Sequence, residues 1–223
     1  MLGNHRLLKV AWLRFVLVGI LLAAPAVKAQ SSRAKSAASY FARGNEWQAR
    51  GEFDRAIEFY KKYAGAYNNR GYARVAIGDH DGALSDFNRA IKLNPPYAEA
   101  YGNRGNLRFR QGDFDGAIAD NTRVIELDPR AAESYNNRAN ARIGKSDYEG
   151  ALADYNQALT LNPRYAEVYA NRGMLWQWLK KTTEAEADFA QCVALKPEMK
   201  SSLEQRINQL RAQLPIQKRL SGH

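Results

Sequence analysis

The sequence predicts an all-α protein, an α-solenoid of helix-turn-helix hairpins closed by a C-terminal capping helix. Three observations predict it. Nearly the same word occurs four times at a spacing of 34 residues: YNNRGYAR at 67–74, YGNRGNLR at 101–108, YNNRANAR at 135–142 and YANRGMLW at 169–176. Each word is followed by a short turn and a second segment ending in Leu-x-Pro, at Leu93/Pro95, Leu127/Pro129, Leu161/Pro163 and Leu195/Pro197. Within the segments apolar residues recur three and four apart, as in Ala83, Leu84, Phe87, Ala90 and Ile91, which is a helix period. Proline lacks an N–H and ends the second helix. A hairpin with one apolar face cannot bury it alone, so such units stack on their neighbours.

The first element, residues 1–29, has the parts of a secretory signal. A basic start (Arg6, Lys9, Arg14) precedes an apolar run from Phe15 to Ala24, and Val27 and Ala29 stand at −3 and −1 before Gln30. Cleavage there is expected, giving an exported protein, periplasmic or secreted. The alternative is an uncleaved anchor, but Arg14 leaves an apolar stretch of 13 residues up to Val27, short of the roughly 20 a bilayer requires. Cleavage removes four basic and no acidic residues, leaving 29 Lys+Arg against 23 Asp+Glu, a net charge of +6. That balance is too weak to argue for nucleic acid. The single Cys192 cannot form an internal disulfide.

After a linker at 30–36, residues 37–63 form a partial first repeat, with Tyr40, Gly44, Trp47, Ala56 and Tyr60 in phase with the later copies. Full repeats follow at 64–97, 98–131, 132–165 and 166–199. Seven residues holding the Leu-x-Pro turn are missing before Ala64, and seven residues are two helical turns. The apolar stripe Phe53, Ile57, Tyr60, Ala64, Tyr67, Gly71 therefore runs on unbroken. This predicts one helix from about Asp54 to Ile77, the rival being a turn at Ala64–Ala66. Residues 200–214 read as an amphipathic capping helix, with Leu203, Arg206, Ile207, Leu210 and Leu214 on one face and Ser201 or Ser202 as N-cap. Residues 215–223 are expected to be a disordered tail.

The 34-residue period, the small residue in the first helix (Gly71, Gly105, Ala139, Gly173), the Ala of the second (Ala83, Ala117, Ala151, Ala185) and the closing Pro resemble tetratricopeptide repeats. The resemblance implies a right-handed superhelix whose first helices, called A here, line a concave groove. One departure is Asn121, which stands where the other copies have Phe87, Tyr155 and Phe189, so looser or water-filled packing is expected there.

A second departure is Arg70, Arg104, Arg138 and Arg172, at a position that is usually apolar in the family. Each is followed sixteen residues later by an acid in the second helix: Asp86, Asp120, Asp154 and Asp188. Arg74, Arg108 and Arg142 add a second guanidinium one turn on, which would repel the first unless an anion lay between them. The pattern predicts a partly buried Arg-Asp network that fixes geometry, rather than a phosphate-binding stripe.

Placing this sequence on the family's groove positions gives a ladder of Asn69, Asn103, Asn137 and Asn171, flanked by Tyr72, Asn106, Phe109, Asn140, Met174 and Trp178. An amide offers a donor and an acceptor, so it can pair with a peptide backbone without reading the side chain. The ladder resembles that of the repeats of O-linked N-acetylglucosamine transferases, although no catalytic domain accompanies it. Glu99, Glu133 and Glu167, near the starts of the A helices, favour a basic ligand slightly and suit the helix dipole equally well. A carboxylate clamp needs Lys or Arg where this chain has Gly102, Glu133 and Glu167.

His5, His80 and His223 are isolated, no His/Cys cluster has metal spacing, and no phosphate loop is present, so no enzyme, cofactor or metal is predicted. The functional expectation is an interaction scaffold of the cell envelope that holds an extended segment of a protein or peptide partner. Nucleic acid is not expected, nor is a membrane span once the signal is cleaved. The competing reading is a structural protein that forms a homodimer through its fused first hairpin.

Overall fold

The computed structural model describes Glu46, Trp47, Arg50 and residues 53–220. The expected signal segment 1–29 and linker 30–36 lie outside the described residues. All regular structure among the described residues is helical. The chain divides into two compact units, one ending at Pro129 and the other beginning at Arg130.

The first unit holds α1 (Phe53–Ala76), α2 (His80–Leu93), α3 (Ala98–Gln111) and α4 (Phe114–Leu127). Helix α1 is a single helix of 24 residues. It runs through the junction of the partial and first full repeats, because a gap of two turns leaves the apolar stripe of the sequence in phase. It packs on α2 and α3, and α3 packs on α4. Phe87 fills the centre, fully buried with Ala83 and Leu107. Its ring demands the glycine across from it, since a Cβ on Gly71 would lie 2.8 Å from the Phe87 ring.

The second unit holds α5 (Ala132–Gly144), α6 (Tyr148–Leu161), α7 (Ala166–Trp178), α8 (Thr182–Leu195) and α9 (Lys200–Leu220). Its core centres on Tyr155, Val168 and Leu175. A second cluster joins Ala170, Met174 and Phe189 to Leu203 and Leu210 of α9. Phe189 again faces a glycine, with a Cβ on Gly173 placed 2.6 Å from its ring.

Turn chemistry recurs with the repeat. Asp79, Asp113 and Asp147 each accept a bond from the backbone N–H three residues on, at 2.9–3.0 Å, which satisfies one orphan donor of the helix start. Lys181 stands at the same position before α8 and makes no side-chain cap.

The C-terminal helix departs from expectation twice. Neither Ser201 nor Ser202 caps it, because the 3-10 turn Pro197–Met199 leads straight into the helix at Lys200. Ser202 instead donates its hydroxyl to the Met199 carbonyl. The helix also continues to Leu220 through Pro215, replacing the disordered tail expected over 215–220. Proline forgoes one ladder bond without removing the rest.

Asn121 is buried. It is 1% exposed, its Nδ2 donates to the Ala117 carbonyl, and its Oδ1 is buried with no partner. An unpaired buried acceptor costs about 1–3 kcal/mol. Gly105 stands opposite it, as Gly71 stands opposite Phe87. Asn121→Phe is therefore expected to raise stability by about 1–2 kcal/mol, read as a higher midpoint in urea. A lowered midpoint would show that the site cannot accept the ring.

Candidate functional site

Each hairpin carries a bidentate Arg-Asp pair. Arg70 donates from Nε and Nη2 to the two oxygens of Asp86 at 2.8 and 2.6 Å. Arg104 does the same to Asp120 at 2.9 and 2.5 Å, Arg138 to Asp154 at 2.9 and 2.7 Å, and Arg172 to Asp188 at 2.8 and 2.7 Å. Sixteen residues carry the chain up one helix and down the next, so the two side chains meet across the hairpin. In the first three, Arg74, Arg108 and Arg142 each add a contact to the same carboxylate at 2.9 Å. The fourth has Trp176 there, leaving Asp188 with Arg172.

These arginines have further partners. Arg104 and Arg172 also donate to Asn88 and Asn156, both at 2.5 Å. Each of the four guanidinium groups stands 5.1–5.7 Å from the ring of the tyrosine three residues before it. The bond to Asp86 pushes the pKa of Arg70 up against the opposing pull of desolvation, and Asp154 acts likewise on Arg138. Each Asp is buried beneath arginines that stay partly exposed, so the network is partly buried.

The inner face of the first unit is built by neighbouring amides. Asn68, 1% exposed, donates to Glu99 at 2.9 Å and accepts from Asn103 Nδ2 at 2.9 Å. Asn103 is thereby held in one orientation. Asn69 is exposed and Asn106 half-buried, and Tyr72 is 63% exposed. Phe109 does not line this face: it is buried beside Phe114, with ring centroids 5.8 Å apart.

The second unit repeats the arrangement. Asn171 Nδ2 donates to Asn136 Oδ1 at 3.1 Å, and Asn136 donates to Asn137 at 3.3 Å. Two expected lining residues turn inward. Asn140 is buried and accepts the Tyr155 hydroxyl at 2.5 Å, because Tyr155 is longer than Phe87 and Phe189 at the same repeat position and its hydroxyl needs an acceptor. Met174 is 2% exposed because Leu203 and Leu210 of α9 close over it. Trp178 is partly buried against the cores.

Two of the three acids near the helix starts also have partners. Glu99 accepts from Asn68 and Tyr97, and Glu167 pairs with Lys196. Glu99 and Glu167 are thereby engaged within the protein, while Glu133 is exposed. Among the described residues no group of His, Cys, Asp and Glu is arranged to hold a metal, and no helix is long and apolar enough to cross a membrane. Cys192 is a buried thiol whose pKa is raised by desolvation.

Three further residues, outside the ladder read from the sequence, take part in this face. Asn68 and Asn136 act by holding the ladder amides. Arg206 of α9 reaches the inner face, its Nη2 3.5 Å from Asn171 Oδ1. A signal for it existed, since it follows Arg172 by 34 residues.

Comparison with known proteins agrees with this architecture. Tetratricopeptide-repeat family models match residues 68–132 and 132–165. No curated protein matches the chain. Among solved structures, MamA from Desulfovibrio magneticus is similar at 19% identity and a TM-score of 0.57, over 73% of this chain and 96% of that one. YrrB, described as a repeat protein with an unusual peptide-binding site, shares 18% identity at a TM-score of 0.55, over 77% and 94%. The first repeat domain of Spaghetti (RPAP3), solved with an HSP90 peptide, shares 24% identity at a TM-score of 0.51, over 52% and 93%.

Proposed function

Because this chain is a tetratricopeptide-repeat protein, we propose that it is an interaction scaffold whose inner helix faces bind an extended segment of a partner protein. The observation that carries the reading is the held amide. Asn103 and Asn171 are each bonded to an asparagine of the preceding repeat, so their orientation is set before any ligand arrives. Preorganised groups lose less freedom on binding, and an amide pairs with peptide N–H and C=O groups of any sequence. Peptide binding by YrrB and by the RPAP3 domain supports the same use of the fold. The N-terminal segment supports placing this activity in the cell envelope. In that case the protein purified from its own host has an intact mass beginning at Gln30.

The clean test is Asn69→Ala combined with Asn137→Ala, one substitution in each unit. Asn69 is exposed, and Asn137 takes part only in the long bond from Asn136, so the melting temperature should scarcely change. Asn103→Ala is less suitable, since it strips the buried Asn68 of its donor. Binding to an array of random short peptides is expected to fall about tenfold, or about 1.4 kcal/mol. A double variant that binds as the parent does would reduce the amides to a wetted surface and end this reading.

A further inference from the structure

Helix α9 continues the arginine series without the acids that accompany it elsewhere. Arg206 follows Arg70, Arg104, Arg138 and Arg172 at the same spacing of 34 residues. Sixteen residues after each of those four stands an Asp; sixteen after Arg206 stands Gly222. Sixteen before Arg104 and Arg172 stand Asn88 and Asn156, which accept their Nη1; sixteen before Arg206 stands Ala190. Both kinds of partner are missing at once.

The guanidinium takes a different course as a result. Its Nη2 approaches Asn171 at 3.5 Å, too long for a strong bond. Its Nε is buried with no acceptor. Among the described residues Arg206 forms no ion pair, and the ionisable groups facing it are Tyr155 and Cys192, both uncharged near neutral pH. Tyr155 already gives its hydroxyl proton to Asn140. Burial pulls the pKa of Arg206 down, yet an arginine stays charged at any ordinary pH. A desolvated cation with no counter-charge is costly, and it stands beside the amide ladder.

We propose that Arg206 is a carboxylate-binding residue: the inner face between α7 and α9 takes an acidic group of the bound peptide, with Asn171 engaging the adjoining backbone. This rests on the peptide reading above and narrows it to acidic segments. The carboxylate belongs to the peptide's C-terminus or to an Asp or Glu side chain. Either supplies the counter-charge that Asp188 supplies to Arg172. A guanidinium receives such a group through paired, charge-assisted bonds.

The test uses the purified protein on paired arrays of random short peptides, made with a free C-terminal acid or a C-terminal amide. The parent should favour peptides bearing a carboxylate over neutral and basic ones. Arg206→Gln should lower binding of those peptides by about tenfold or more, and Arg206→Lys should retain part of it by keeping the charge. Loss on amidation assigns the terminal carboxylate; loss on Asp→Asn and Glu→Gln exchange in the peptide assigns the side chain. The melting temperature of Arg206→Gln should equal or exceed that of the parent. A lower melting temperature with unchanged peptide preference makes Arg206 structural and overturns the assignment. Peptide binding by the parent with no preference for acids overturns it too, leaving the amide reading intact. A parent that binds no peptide sinks both.

Discussion

Asp120→Ala is expected to destabilise the protein by about 2–4 kcal/mol, because it leaves Arg104 facing a buried space with no counter-charge and Arg108 with only the half-exposed Asp113. Asp120 is 2% exposed and receives three charge-assisted bonds, two from Arg104 and one from Arg108. Arg104 keeps Asn88 and the Tyr101 ring, and Arg108 keeps its contacts at Asp113 and the Gly116 carbonyl. Arg104→Leu should cost less, since Arg108 remains to neutralise the acid and leucine suits the half-buried position. Combining Arg104→Leu with Asp120→Ala should recover part of the loss, because the stranded charge goes with its partner. Urea denaturation of the three variants closes a double-mutant cycle. If all three lie within about 0.5 kcal/mol of the parent, the pair is solvated and contributes nothing to the fold.

Phe87→Ala is expected to cost about 3–5 kcal/mol, through lost burial and the cavity left behind. The ring is fully buried against Leu107 and Ala83. Its seat depends on the glycine opposite, so Gly71→Ala should itself destabilise by about 1–3 kcal/mol through overpacking. The sign is informative, because helix propensity alone favours alanine over glycine by about 1 kcal/mol. With both changes present the new methyl enters the space the ring has left, and the combined cost should fall below the sum of the two. A neutral or stabilising Gly71→Ala, additive with Phe87→Ala, would show that the helices separate freely and that the glycine is not required.

Much of the fold was legible in the chain because repetition makes weak signals strong. A lone Leu-x-Pro or a single Asp before a helix says little, but four of the first and three of the second in phase define hairpins. The unbroken run of α1 through residues 64–66 was legible for a related reason: deleting two whole turns preserves the side-chain stripe. The pairing of Arg and Asp could be read from a spacing of sixteen, which the hairpin turns into adjacency.

The inner face was less legible, because exposure is decided by neighbours from other repeats. Phe109, Asn140 and Met174 stand at groove positions in the register, yet each is buried by something the register does not contain. Phe114 covers the first, the Tyr155 hydroxyl claims the second, and α9 closes over the third. Nor does sequence order show that Asn68 holds Asn103, or that Arg206 turns toward Asn171, since each contact joins residues 35 apart through space. The sequence by itself determined the helices, their turns and the pairs within one hairpin, because these depend on short spacings along the chain. Only the tertiary structure decided which amides stay open to a ligand and which arginine lacks an acid, because burial and charge balance belong to the packed surroundings of a residue.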